Sequence, residues 1–183
     1  MASPKATPTP LSALGVTQHQ TSAHQGLPNT SLQHKPLLHY HGAFPACTAA
    51  SGIEAHLRSV SVVDPQWRYT MYGTTHFHST AHELLCVARG AARLCFGGAD
   101  NPGRVEARVR GGDVLLVPAG VGHRLLEEEG EEGFEMVGSY PRGCGWDMCY
   151  GKQGEEGKVE NIRRLGWFER DPIYGDQGPA LEV

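Results

Sequence analysis

The chain has 183 residues, of which 39% are hydrophobic and 20% charged, and its net charge is −4 at pH 7 with histidine neutral. This suits one globular domain with a sizeable core, and the lack of basic clusters argues against nucleic-acid binding, which needs grouped lysine and arginine. Apolar runs fall far short of the about 20 residues of a membrane helix, so no membrane partner is expected. Five cysteines without a CxxC pair favour reduced thiols and a cytoplasmic location.

The first 35 residues differ in composition from the rest of the chain. They contain no acidic residue, no arginine and no aromatic residue. Such a segment has too little apolar surface to offset the entropy that ordering costs. The sequence therefore predicts a flexible N-terminal arm over 1–35 and a single domain over 36–183.

The predicted domain begins with a short helix and continues with strands. Ile53, Leu57 and Val60 share one face of a helix predicted over 48–60. From Trp67 the pattern changes to short apolar runs separated by glycine-rich turns, which is typical of an all-β antiparallel barrel. The barrel core is expected over 67–141, followed by a helix within 155–165 and an irregular end. The seven predicted strands are 67–75, 83–88, 91–97, 104–109, 113–118, 123–127 and 134–140.

The stretch "HFHSTAHE" concentrates metal-binding side chains in residues 76–83. Residues two apart in a strand face the same side, so His76 and His78 are expected to point together. A carboxylate from the next strand and a third histidine would complete a metal site. His123, after the turn "PAGVG", supplies that third candidate.

This stretch matches the first motif of the cupin superfamily. His76 and His78 are followed by four residues, then Glu83, then six residues and Gly90. That order and spacing resemble the cupin pattern without a gap.

A second stretch resembles the other cupin motif. Gly112 is followed by five residues, Pro-x-Gly at 118–120, two residues and His123. Together with "WDM" at 146–148 and "RDPIYGDQGP" at 170–179, the chain is similar to the YjlB-like cupins over about 36–183. The resemblance implies a single small jelly-roll barrel. It also implies that one divalent metal ion is held by four ligands, which are His76, His78, Glu83 and His123.

Two positions depart from the motifs. The first motif usually opens with glycine where this chain has Thr70, and the second usually ends with asparagine where it has Glu127. Neither position is a ligand, so the implied metal site is unaffected. Glu127 is expected either to begin a solvated acidic loop or to lie at the barrel mouth.

His82 competes with Glu83 for the fourth ligand position. Strand alternation lets only one of the two face the metal, and the six-residue spacing to Gly90 favours Glu83. His82 is then either structural or hydrogen-bonded to a ligand. The pair His39 and His41 repeats the His-x-His spacing without a following glutamate, so an initial or edge strand is expected there. The candidates for lining the pocket are His82, Tyr72, Tyr140 and Trp146.

The ligand set indicates the chemistry. Three imidazoles and one carboxylate favour Fe or Mn, with Zn, Ni or Cu as alternatives, and leave two open positions on an octahedral ion. The sequence predicts a metal-dependent enzyme acting on a small chelating substrate. Oxidative chemistry of the dioxygenase or oxidase type on a phenolic, enolic or diketo compound is favoured. A lyase, isomerase or decarboxylase, or a non-catalytic binding protein, stays open. The resemblance further suggests a homodimer in which residues 36–47 cover the sheet edge of a partner.

Overall fold

The computed structural model of the chain describes residues 4–183, which form two β-sheets with two α-helices and three short 3-10 turns. The strands are β1 (Gly15–His19), β2 (Leu37–His41), β3 (Val63–Tyr69), β4 (Glu83–Arg89), β5 (Ala91–Phe96), β6 (Val105–Arg110), β7 (Val114–Val117), β8 (His123–Glu129) and β9 (Glu135–Pro141), and the helices are α1 (Ala50–Val60) and α2 (Glu156–Ile162).

The two sheets are antiparallel and enclose the main core. The larger sheet has the strand order β1-β2-β7-β4-β9-β3, and the smaller has the order β6-β5-β8. Alternate residues of β4 point between the sheets, where Leu85 and Val87 pack with Leu94, Phe96 and other buried side chains. The predicted all-β jelly-roll barrel is confirmed.

The outer face of the larger sheet is covered by α1 and the C-terminal segment. Ile53 and Leu57 of α1 pack on Leu84 and Cys86 of β4, and all four are fully buried. The strand β4 is therefore buried on both faces, which explains its nearly continuous apolar sequence. α1 begins at Ala50, two residues after the predicted start, and no side-chain hydrogen bond caps its first turn.

The segment predicted to be a flexible arm is instead part of the fold wherever the structure describes it. β1 pairs with β2 over five residue pairs, from Gly15 with His41 to His19 with Leu37. Buried Asn29 and Thr30 bond to backbone groups, as in Thr21 N–H to Thr30 Oγ1 at 2.9 Å. Composition misled the prediction because main-chain and amide hydrogen bonds hold this segment, together with a few apolar side chains such as Leu27 that reach the core. Residues 1–3 of the predicted arm lie outside the described part.

Two further expectations need correction. β2, expected as an initial or edge strand, lies between β1 and β7 inside the larger sheet. Leu37–His41, the strand within the segment 36–47, therefore has both edges paired in its own sheet and is not free to cover a partner's edge. The first predicted strand, 67–75, is shifted: β3 starts at Val63, passes a bulge between Pro65 and Trp67, and ends at Tyr69. Within residues 4–183 no helix has the length and apolar character needed to cross a membrane.

Candidate metal centre

A short antiparallel bridge sets two of the histidines side by side. The His76 N–H donates to the His123 carbonyl at 3.2 Å, and the His123 N–H donates back to His76 at 2.8 Å. The imidazole centroids of these residues are 4.2 Å apart. Phe77 points the other way and bridges to Cys149, so the expected His76–His78 alternation holds although the stretch is an isolated bridge rather than a regular strand.

All three imidazoles are oriented by backbone carbonyls. Nδ1 of His76 contacts the Thr74 carbonyl at 2.9 Å, Nδ1 of His123 contacts the Val121 carbonyl at 2.9 Å, and Nδ1 of His78 contacts the Asp147 carbonyl. Since a carbonyl only accepts, each Nδ1 carries the hydrogen. The three Nε2 atoms are thereby left with their lone pairs available, which is the tautomer that a metal ligand requires.

Glu83, the first residue of β4, brings a carboxylate to the same point. Its Oε2 lies 3.4 Å from Nε2 of His78 and 3.3 Å from Nε2 of His123. Glu83 is buried, yet this oxygen accepts no hydrogen bond from any residue of the described chain. A buried, unsatisfied carboxylate oxygen is costly unless something else occupies the site.

The protonation states suit this arrangement. Burial alone would raise the pKa of Glu83, but the neighbouring His78 and His123 and the Tyr140 hydroxyl lower it to about 2. Burial alone would lower the pKa of His78, but the Glu83 carboxylate raises it above its ordinary value. Burial and His76 lower the pKa of His123 to about 3. The attraction between the Glu83 carboxylate and His78 therefore favours positive charge at this point, which a divalent ion also supplies.

These residues fit a divalent ion. Atoms that each lie about 2.1 Å from one ion are separated by about 3.0–3.4 Å at octahedral or tetrahedral angles, as the Glu83 oxygen and its two histidine neighbours are. Ligand atoms of His76, His78 and His123 all lie within 4.8 Å of one another. The histidine cluster could therefore hold a metal, and the Glu83 carboxylate lies next to two of its three members.

The four side chains form the floor of a cavity of about 280 Å³. Leu85 and Met71 line its wall, and Tyr72 and Trp146 stand at its mouth with exposed fractions of 53% and 41%. Tyr140 lies within the cavity and stacks on Trp146, with ring centroids 6.0 Å apart. Three of the predicted pocket residues, Tyr72, Tyr140 and Trp146, are thus placed in the pocket.

Comparison with known proteins agrees with this architecture. The family model described as Cupin matches residues 72–139, which contain all four side chains of the floor. The chain is 35% identical over 118 residues to the protein YjlB of Bacillus subtilis, covering 64% of this chain and 68% of that protein. The chain belongs to the YjlB-like cupins.

Two solved structures resemble this cupin distantly. A point mutant of Bacillus subtilis oxalate decarboxylase has a TM-score of 0.37 and 18% identity, covering 72% of this cupin and 28% of that chain. The 11S allergen of Cocos nucifera has a TM-score of 0.35 and 11% identity, covering 78% and 32% of the two chains. Both are much longer proteins, and their low scores support no functional argument.

His82 does not line the cupin's pocket, contrary to the prediction. It faces away from Glu83, with Nδ1 accepting the Ala119 N–H at 3.0 Å and Nε2 contacting the Gly166 carbonyl at 3.1 Å. Its ring packs against Trp167, with centroids 4.8 Å apart. Strand alternation explains the placement, since neighbouring residues point to opposite faces. Of the two open interpretations, the structural one describes His82, because its hydrogen bonds go to backbone groups and not to a ligand.

Three residues that support the site were missed in the sequence. Trp67 Nε1 donates to the Tyr140 hydroxyl at 3.0 Å, and that hydroxyl donates to Oε1 of Glu83. Asp147 accepts the Ser79 N–H at 2.7 Å while its carbonyl orients His78. Asn29 accepts the Gly122 N–H at 3.0 Å, next to His123. The "WDM" match pointed to the Asp147 region, whereas nothing in the local sequence identified Trp67 or Asn29.

Thr70 and Glu127, the two positions that depart from the cupin motifs, make contacts away from the four floor residues. The Thr70 hydroxyl donates to Glu128 at 2.8 Å, which ties the pocket wall to β8. Glu127 is exposed and pairs with Arg93 at 3.1 Å on the outer surface. It therefore lies on a solvated strand rather than at the barrel mouth.

Proposed function

We propose that this cupin is a metal-dependent oxygenase of small, planar, chelating molecules, with His76, His78, Glu83 and His123 as the ligands of one divalent ion. The observation that carries the proposal is the orphaned Oε2 of Glu83 among converging imidazole Nε2 atoms at the floor of a cavity that opens to solvent past Tyr72 and Trp146. Fe or Mn best suits three imidazoles and one carboxylate. When bound, such an ion supplies Lewis acidity, a template for two substrate oxygens and redox chemistry.

The shape of the cavity supports the substrate class. Its volume, about 280 Å³, lies at the lower end of ligand sites and suits a molecule of one ring or a short diketone. Aromatic side chains of Tyr72, Tyr140 and Trp146 offer flat surfaces on which a planar molecule can stack. Phenolic, enolic and diketo compounds combine such a plane with adjacent oxygens.

The protein groups around the cavity are suited to orienting a substrate rather than to acid–base chemistry. Among the described lining residues, Glu83 is the carboxylate and Arg68 the guanidinium, and Arg68 is already paired with Glu54 at 2.5 Å. Burial and Glu83 raise the pKa of Tyr140 above its ordinary value, so its hydroxyl stays protonated and remains a donor. This favours a reaction in which the ion and dioxygen supply the reactivity.

Metal analysis and oxygen uptake together test the proposal. The full chain is purified without added metal, its metal content is measured, and the protein is mixed with catechols, enols and β-diketones in an oxygen electrode. We expect near one Fe or Mn per chain and consumption of one O2 per substrate, because a dioxygenase places both oxygen atoms in the product. His78→Ala should abolish metal content and uptake while the fold persists, and His82→Gln, which alters a neighbour outside the pocket, should retain both.

Other results of the same measurements would favour one of the alternative functions over an oxygenase. Turnover without oxygen uptake would replace the oxygenase with a lyase, isomerase or decarboxylase. Binding of these compounds without turnover would indicate a binding protein. A folded protein with no metal would remove the metal-dependent model altogether.

A further inference from the structure

The structure places a second cluster of metal-binding side chains at the other end of β7. Asp113 immediately precedes β7, whose last residue, Val117, pairs with Glu83. On the neighbouring strand, His39 and His41 share a face and their ring centroids are 3.9 Å apart. Ligand atoms of His39, His41 and Asp113 all lie within 4.8 Å of one another.

The His39 ring is the observation that points to a missing ligand. Its side chain is buried, with only 4% of the residue exposed, and Nε2 makes no hydrogen bond within the described chain. This atom lies 3.3 Å from Oδ2 of Asp113 without hydrogen-bond geometry. A buried ring nitrogen is normally hydrogen-bonded, whereas this separation from a carboxylate oxygen is that of an ion pair or of two ligands of one ion.

Backbone hydrogen bonds hold the Asp113 carboxylate in place without an ion. Its Oδ1 accepts the Gly42 N–H at 2.8 Å, and its Oδ2 accepts the Arg110 N–H at 3.0 Å. Each oxygen keeps a second lone pair, so the group can still bind a cation. The main chain of Asp113 is also held, because its carbonyl accepts the Val87 N–H at 2.9 Å.

Solvent and ions can reach the cluster of His39, His41 and Asp113 from the side of His41. His41 is solvent-exposed and contacts the Thr17 hydroxyl through Nε2 at 2.7 Å, and it borders a shallow pocket with Arg108, Arg110 and Glu129. Arg108 is neutralised by Glu129 at 2.7 Å, whereas Arg110 makes no ion pair among residues 4–183. The Arg110 guanidinium is thus a positive charge that works against a bound cation.

We propose that His39, His41 and Asp113 form a second divalent transition-metal site, distinct from the centre at Glu83. Two imidazoles and one carboxylate select ions such as Zn, Ni, Cu or Fe over Ca or Mg. An ion there links the N-terminal strand pair β1–β2 to the turn that starts β7. The site is a structural clamp open to solvent on the His41 side, with no part in the chemistry of the cavity.

Zinc titration of paired variants tests this site apart from the first. His78→Ala disables the first centre, and isothermal titration of that variant with Zn²⁺ should still show one bound ion. Adding His41→Ala should weaken that binding at least about tenfold, since even the loss of an indirect partner of a metal ligand costs that much. Adding Arg110→Gln should tighten binding, because it removes the opposing charge. Adding His34→Asn, the matched control at an exposed histidine whose positive φ asparagine tolerates, should change nothing.

A measurement on the unmutated protein covers the case in which His78→Ala does not fold. With more than one equivalent of Cu²⁺, paramagnetic broadening in a ¹⁵N spectrum should reach the amides of Thr17, His41 and Gly42 and should vanish from them in His41→Ala. The proposal is overturned if these amides stay sharp, or if a folded His78→Ala variant binds no zinc, or if His41→Ala and His34→Asn weaken binding equally. None of these results depends on whether the first centre is an oxygenase.

Discussion

The Tyr140 hydroxyl donates its hydrogen to Oε1 of Glu83 while accepting one from Nε1 of Trp67 at 3.0 Å. This places one oxygen of the carboxylate in a fixed hydrogen bond and turns the other toward the imidazoles. These hydrogen bonds therefore connect the pocket wall at β3 to the Glu83 carboxylate at the start of β4. Partners of this kind orient metal ligands and tune their affinity.

Tyr140→Phe should weaken metal binding without unfolding the protein. Removing the hydroxyl leaves Oε1 of Glu83 buried without its donor, so the carboxylate loses its fixed orientation. We expect a loss of about 10–100-fold in metal affinity, measured by competition with a chelator of known affinity. Tyr150→Phe, at a tyrosine that is 40% exposed, is the matched control and should leave the affinity unchanged. Equal affinity in both variants would contradict the positioning role.

Acid should destabilise the protein partly through His82. Burial lowers the pKa of His82 from 6.5 to about 4, and protonation of Nδ1 would break the bond from the Ala119 N–H. The unfolded chain therefore binds this proton first. The stability that neutral His82 provides is fully present above about pH 6.5 and is lost as the pH falls toward about 4. At pH 5 the free energy of unfolding has fallen by about 2 kcal/mol through this group.

His82→Gln isolates this contribution, because glutamine keeps polar atoms at the site but does not titrate. Free energies of unfolding are measured with urea at pH 7 and pH 5 in the presence of a chelator, so that metal release affects neither protein. The difference between the two pH values should be about 2 kcal/mol smaller in the variant than in the original chain. An identical pH dependence would show that His82 does not titrate as described.

Asn29→Gly should destabilise the fold through the N-terminal segment. The Asn29 side chain donates to the carbonyls of Ser22 at 2.7 Å and Gly97 at 3.0 Å and accepts the Gly122 N–H, all in a buried setting. Glycine tolerates the positive φ of this position, 51°, so the change removes these bonds without backbone strain. We expect a loss of about 2–3 kcal/mol in urea denaturation.

The control for this change is His34→Gly. His34 also has a positive φ, 57°, and is exposed, so it shares the entropic cost of glycine without losing buried bonds. A loss of stability no larger for Asn29→Gly than for His34→Gly would mean that the arm is not held by this side chain.

The contrast between Glu83 and Asn29 shows what the sequence could predict. Glu83 was separated from His82 by strand alternation and by spacing to Gly90, both of which are local rules that the structure obeys. Asn29 lies in a segment of low apolar content, and its partners Gly97 and Gly122 are far away in the chain. Composition measures burial of apolar surface and cannot detect order that comes from long-range hydrogen bonds.

Trp67 and Asp147 illustrate the same limit within the site. Trp67 reaches Glu83 only through Tyr140, and Asp147 orients His78 through its main-chain carbonyl. A carbonyl contact carries no residue-type signal, and an indole that serves as a donor looks like an ordinary core residue. The placement of His76, His78 and Glu83 in the cavity was predictable because their chemistry is in the side chains and their spacing is short, whereas His123, far along the chain, was identified from the separate stretch that resembles the second cupin motif.

Self-association of the protein is expected along the exposed edge of β1. β1 forms the outer edge of the larger sheet, and its residue Gln18 is exposed. An unpaired strand edge readily pairs with another chain unless charge prevents it. Light scattering after size exclusion should give twice the chain mass of 19.8 kDa.

Gln18→Lys should shift the protein toward monomer, because symmetric pairing of two β1 strands would bring the added charges together. Gln153→Lys is the control, since it makes an equal charge change at an exposed site away from β1 and should leave the dimer intact. A monomer in the original chain at all concentrations would contradict the prediction, and a dimer that ignores Gln18→Lys would move the interface elsewhere.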